Sequence, residues 1–261
     1  MSLTNLIFKM KKQLLIILTF CLSTVVFGQR NSNQEYWNTW RYTPKTDMVQ
    51  KFESAVALKT KTFNSTPELG IFTYKVITGP NSGTYERVEA NKKPADYDMD
   101  RSVEGAYWDK NVAKYIGKEE GQKRWTRLKN GSYNFDPESS TPSKYITRTV
   151  YDVKADKIMH FRRFMSRVTE IMTLREMDVN VLLFRLQSGG NRNQFVRVVG
   201  FSSYERVMKS SETTWEDDYN KLFGWGSWSE DIANLDASIE MYGENVETLQ
   251  LMPELSSGMM N

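Results

Sequence analysis

Four cations at matching places in two hairpin-like stretches are the residues best suited to chemistry. Residues 70–90, GIFTYKVITGPNSGTYERVEA, set two β-runs around a Gly-Pro-Asn-Ser-Gly turn, and residues 180–200, NVLLFRLQSGGNRNQFVRVVG, do the same around Gly-Gly-Asn. If the turns are symmetric about Asn81 and Asn191, Lys75 stands opposite Arg87 and Arg185 stands opposite Arg197. Like charges directly across a sheet repel. Two such pairs at equivalent places predict an anionic partner, because guanidinium forks match carboxylate or phosphate oxygens. Tyr85 and Phe195 share the face, so the candidate ligand-binding set is Lys75, Arg87, Arg185, Arg197, Tyr85 and Phe195. Two other arrangements give the same pattern: internal ion pairs to Glu86 or Glu89, and a turn register one residue different.

The remaining reactive residues are sparse. His160 is the only histidine. A haem ligand or general base is conceivable there, but a half-exposed place on a helix suits it equally well, one residue before the apolar Phe161. One histidine and one cysteine cannot supply a typical zinc site. Asp96, Asp98 and Asp100 have the opening spacing of a calcium loop, yet Arg101 stands where that loop needs glycine and Tyr107 where it needs glutamate. Glu216, Asp217 and Asp218 fit the acidic first turn of a helix. Residues 224–228, GWGSW, put Trp225 and Trp228 on a glycine-flanked link, suited to a lid, a sugar-stacking surface or a wedge between helices. No phosphate loop, HExxH or nucleophile elbow occurs, and no motif requires a cofactor.

Composition narrows the partners. Lys9, Lys11 and Lys12 precede an apolar run at 14–27, closed by Val26 and Gly28 at the −3 and −1 positions of a cleavage site. That is the pattern of a secretory signal over 1–28, shorter than the ~20 residues of a membrane span. The expected location is periplasmic or secreted, with no stable span after cleavage. The three lysines leave with the signal, so the 35 basic residues fall to 32 against 32 acidic ones. A neutral chain lacks the basic excess that nucleic acid calls for. The lone Cys21 leaves too, so burial rather than disulfides must hold the fold.

Around the hairpins the periodicity predicts a repeated order of elements. Residues 29–35 read as a disordered tail and Tyr36–Tyr42 as a strand. Val49, Phe52, Val56 and Phe63 mark one face of a helix over 47–64. After the first hairpin, Tyr107, Trp108, Val112 and Tyr115 mark a second helical region, with a more polar helical stretch running to about Leu128. A short last strand falls at Ser132–Phe135. In the second half, Tyr145–Val153 is a strand. Ile158, Phe161, Met165, Val168 and Met172 line a helix that Asp156 can cap, and a helical segment covers Thr214–Gly224. Ile232, Leu235, Ile239 and Tyr242 predict a final helix, capped by Ser229 and stopped by Gly243, before a closing strand at Leu249–Met252. Each half is then βαββαβ: repeat 1 over 36–138, a polar linker at 139–143, and repeat 2 over 144–258.

A βαββαβ unit is ferredoxin-like. With the two hairpins FTYKVITGPNSGTYERV and LLFRLQSGGNRNQFVRV, the element order resembles a fused version of the dimeric α+β barrel superfamily, which includes antibiotic-biosynthesis monooxygenase-like and NIPSNAP-like families. The resemblance implies an α+β fold of two tandem ferredoxin-like repeats in an intrachain pseudo-dimeric barrel. The faces bearing Phe72, Tyr74, Val76 and Val88, and Phe184, Leu186, Val196 and Val198, are expected against the helices. The mixed faces with the four cations are then expected to look into the barrel. This predicts an exported protein binding a small anionic ligand in the barrel cleft. It leaves open a cofactor-independent or haem-using oxygenase-like enzyme, and an interaction module with a filled barrel core. Pairing into homo-oligomers is a further expectation of the superfamily.

Overall fold

Strands supply most of the frame in the computed structural model, which describes residues 34–137, 141–205 and 212–258. The expected signal, residues 29–33 of the expected tail and residues 139–140 of the expected linker lie outside the described residues. The barrel unit, 36–92 and 100–258, contains in order β1 (Tyr36–Pro44), α1 (Val49–Phe63), β2 (Phe72–Thr78), β3 (Tyr85–Lys92), α2 (Ser102–Asn111) and β4 (Ile116–Arg127). There follow β5 (Tyr145–Val153), α3 (Ile158–Leu174), β6 (Asn180–Ser188), β7 (Gln194–Phe201), α4 (Trp215–Phe223), α5 (Ser227–Ser238) and β8 (Ile239–Leu251). The strands close an antiparallel barrel in the order β1-β3-β2-β8-β5-β7-β6-β4. The class is therefore α+β. A small separate unit, described at 34–35 and 93–99, holds a 3-10 turn at Pro94–Asp98 in which the Lys93 N–H donates to Asp96 (2.8 Å).

The amphipathic helices form where their spacing places them. α1 buries Phe52 and Val56, and α3 buries Phe161, Phe164, Met165, Ile171 and Met172. Two corrections concern the ends of the halves. Residues 116–127, expected to continue a helix, are the strand β4, and the strand expected at Ser132–Phe135 is reduced to one bridge, Tyr133 to Val181. Ile239 and Tyr242, expected on a helix, belong to β8, and Gly226 rather than Ser229 is the N-cap of α5. Both strands run past their neighbours at one end. β4 pairs with β6 only from Arg124 onward, and β8 pairs with β2 only from Thr248 onward. The overhanging parts are paired along one edge only, with β1 and β5, and carry mostly polar, exposed side chains, so they lack the apolar alternation by which strands are recognised.

The hairpin register also differs from expectation. Lys75 lies opposite Tyr85 and Thr73 opposite Arg87; Arg185 lies opposite Phe195 and Leu183 opposite Arg197. Both hairpins are displaced by two residues, which keeps each side chain on its face but puts an aromatic, not a cation, across from Lys75 and Arg185. The faces themselves are inverted. Tyr85 packs with Phe52 of α1, and Phe195 with Phe161 of α3 (ring centroids 5.2 and 4.8 Å). The cation-bearing face is therefore turned to the helices. The more apolar face fills the lumen: Trp125, Leu182, Phe184, Leu186 and Val196 form one cluster, and Tyr74, Val76, Leu249 and Leu251 another. An eight-stranded barrel is just wide enough for side chains to fill, so its lumen competes with the helices for apolar residues.

Candidate functional site

At the end where the hairpin turns lie, the apolar filling gives way to polar side chains around a cavity of about 300 Å³. Its floor is a closed quartet from four strands. Arg41 of β1 donates to Glu86 of β3 (2.8 Å) and Glu247 of β8 (3.3 Å), and Arg148 of β5 donates to the same two carboxylates. All four line the cavity, and Glu86, Arg148 and Glu247 are buried. Burial pushes the Glu86 carboxyl up, with Arg41 opposing, while burial lowers Arg41 but Glu86, Glu247 and Glu120 together raise it on balance. The two pairs cancel in charge, yet the hydrogen bonding is incomplete. The Nε atoms of Arg41 and Arg148 are both buried with no partner, and an unmade bond of this kind costs about 1–3 kcal/mol.

The rim carries Lys123, Glu120, Asp152, Gln194, Asn81 and Asn245, and Trp125, Val150 and Val196 form an apolar wall. Two glycines fix the rim. Gly79 (φ +95°) and Gly189 (φ +92°) begin the two turns in a conformation that disfavours a side chain. Each lies directly on the neighbouring overhanging strand, Gly79 on Val246 and Glu247, Gly189 on Gln122 and Lys123. Asn81 can thereby donate to Glu247 from the first turn. Gln194 donates to Asp152 (3.1 Å), and the Trp125 indole donates to Thr39 (2.9 Å). Glu120 and Lys123 line the same cavity and act on the quartet, Glu120 on Arg41 and Lys123 on Glu86.

None of the six residues nominated from sequence lines this cavity. Lys75 lies over the Tyr85 ring (5.2 Å) and 3.9 Å from Glu53 of α1, which also accepts from the Tyr85 hydroxyl. Arg185 lies over the Phe195 ring (5.5 Å) and donates to the Arg192 carbonyl (2.9 Å). Burial lowers the pKa of Arg197, opposed by Tyr151, and burial lowers that of Arg87 to about 10. The quartet is not legible in the sequence because its members lie on four strands. One signal was present: Glu86 and Arg148 fall at lumen-facing positions among apolar neighbours.

His160 is half-buried on α3, whose sheet-facing side is filled by Phe161, Phe164 and Met165 packed with Leu183, Phe195 and Tyr151. Among the described residues no cluster of three or more metal-ligating side chains occurs, and no helix is long and apolar enough to cross a membrane.

No protein-family model matches the sequence, and no curated protein matches it. The fold has solved counterparts. A protein from Lactobacillus acidophilus provisionally named a monooxygenase shares 12% identity (TM-score 0.51; 86% of this chain and 96% of that one). A similarly named protein from Fusobacterium nucleatum shares 15% (TM-score 0.52; 84% and 92%). The chlorite dismutase of Candidatus Nitrospira defluvii, in complex with imidazole, shares 10% (TM-score 0.50; 86% and 94%). At such identities the likeness concerns the fold alone.

Proposed function

We propose that this protein binds a small polar ligand bearing a carboxylate in the turn-end mouth of its barrel. The observation that carries this reading is the pair of partnerless Nε atoms of Arg41 and Arg148, on two residues that line one cavity. Buried donors need an acceptor, and a carboxylate is the strongest match for guanidinium. Lys123 adds a cation at the rim, whereas Glu120 and Asp152 add two acids. A ligand that also carries a positive group meets both signs, so a small zwitterion suits the site better than a simple anion. The cavity is at the small end of ligand pockets. The chain is read further as two tandem ferredoxin-like repeats, supported by the matched turns at Gly79 and Gly189 and the matched overhangs of β4 and β8. Export rests on the 1–28 pattern, and further pairing of chains on the superfamily resemblance.

The test is a thermal-shift panel of amino acids and betaines, simple carboxylates and polyols, on wild type and Lys123→Met. A ligand at ~100 times its dissociation constant adds about 2.7 kcal/mol. Shifts are expected to rank zwitterion, then carboxylate, then polyol, and to shrink in Lys123→Met. A flat panel on folded protein overturns the reading. An oxygenase-like activity is the second reading, supported by the names of the two neighbours called monooxygenases. Substrate-dependent oxygen uptake tests it.

A further inference from the structure

The helix-facing side of β3 holds a second concentration of charge, separate from the cavity. The Glu104 carboxylate of α2 accepts from Arg101 Nε (2.6 Å) and Nη2 (2.9 Å), from Asn64 (3.2 Å) and from Lys59. Three side chains thus wrap one carboxylate, which is the donor set of an anion-binding site. Arg87 stands beside it, 1% exposed, donating to Thr60 (2.6 Å) and lying against the Trp108 ring (5.3 Å). Its Nε is buried without a partner, and no carboxylate comes within ion-pair distance of it among the described residues. Lys59 lies over the same Trp108 ring (5.9 Å). The second acid, Glu89, is taken by Arg101 and by Asn38 (3.1 Å). Three cations, Lys59, Arg87 and Arg101, therefore face two acids in a largely buried space. An unpaired buried charge is costly.

The way α2 is attached gives this excess a use. The helix turns Glu104 inward and leaves Val103 exposed, the reverse of an ordinary amphipathic helix. α2 is held by Trp108, which packs on the core beside Tyr42 and under Arg87 and Lys59, by the Tyr107–Phe63 ring contact, and by the Glu104 cage. We infer that Glu104 is an internal stand-in occupying an anion site built from Lys59, Asn64, Arg87 and Arg101, and that a small dianion displaces its side chain and so loosens α2, while Arg101, at the N-cap of α2, stays on Glu89. With Glu104 gone, three cations face Glu89 alone, and the excess of two selects a dicarboxylate or a phosphate monoester over a monoanion.

The test uses the full chain, with succinate and phenyl phosphate as probes and sodium chloride at matched ionic strength as control. Hydrogen exchange of the α2 amides is expected to speed up with either dianion and not with chloride. Glu104→Gln is expected to bind the probes about tenfold more tightly by calorimetry, since the internal competitor has lost its charge. Lys59→Met is expected to lose binding. Should it not fold, the wild-type exchange and the Glu104→Gln affinity decide alone. Unchanged α2 exchange together with no gain in Glu104→Gln overturns the inference, as does an equal response to chloride, which would be screening only. Lys123→Met separates this site from the barrel mouth: binding that survives it belongs to the cage, and binding lost with it overturns the cage.

Discussion

Glu86 and Arg87 are neighbours in β3 and serve opposite faces of the barrel wall. Glu86 closes the lumen quartet with Arg41 and Arg148, while Arg87 lies buried between the sheet and Thr60 and Trp108. Strand alternation is the cause. One pleat therefore connects the cavity floor with the space beneath α2.

The quartet sets the first prediction. Arg148→Met leaves Glu86 and Glu247 with one guanidinium between them in a buried place, and should lower stability by about 3–5 kcal/mol. Adding Glu247→Gln should recover part of that loss. Urea denaturation of the single and double variants checks this; a double variant less stable than the single one contradicts it.

A pH dependence follows from Lys59. Burial, then Arg87, lowers its pKa from 10.5 to about 8, with Glu104 opposing. Glu104 is held at about 2 although burial opposes it, because both Arg101 and Lys59 donate to it. A lysine depressed in the folded state contributes stability that is fully present above 10.5 and lost as pH falls through about 8. Unfolding free energy should therefore rise by about 3 kcal/mol from this group between those values. Wild type minus Lys59→Met, measured by denaturation from pH 7 to 10, should show that rise; a flat difference rules it out.

Three turn glycines separate strain from collision. Gly83 (φ +88°) has open space beside it, so Gly83→Ala should cost about 1 kcal/mol from the backbone alone. At Gly189 a methyl group would strike the Gln122 carbonyl, and at Gly79 it would sit 2.8 Å from that of Val246. Those two replacements should cost clearly more, about 2 kcal/mol or above. Equal losses at all three positions in thermal melts would contradict the seating of the turns on β4 and β8.

The tryptophans of residues 224–228 should behave differently from each other. Trp225 is 97% exposed, whereas Trp228 packs on Tyr219 and Phe164 (5.3 and 6.2 Å). Trp225→Ala should change stability by no more than about 0.5 kcal/mol, and Trp228→Ala should cost about 2 kcal/mol or more. The wedge between helices expected from the sequence is thus Trp228 alone.

The parts of the fold legible in the sequence are those with a clear period. α1 and α3 show it as one dry face, and β1, β5 and both hairpins as alternating side-chain types bounded by turn residues, and their positions follow from it. β4 and the first half of β8 do not, because each projects beyond one of its two partners with mostly polar side chains, and Gly243 within β8 looks like a helix stop. The inside and outside of the barrel were legible only as two different faces. Which one turned inward depended on how much apolar volume the lumen takes, a property of closure that no single strand displays. The same holds for the site: the charge excess around Arg87 was visible as a pattern, but the Arg41–Glu86–Arg148–Glu247 floor needed four strands brought together.

The most direct test of ligand binding at the barrel mouth is nitrogen-15 NMR of the arginine Nε–H groups during titration with small zwitterionic carboxylates. The Arg41 and Arg148 signals should move together and saturably, and the response should weaken in Lys123→Met. Signals that stay fixed while the protein remains folded would contradict it.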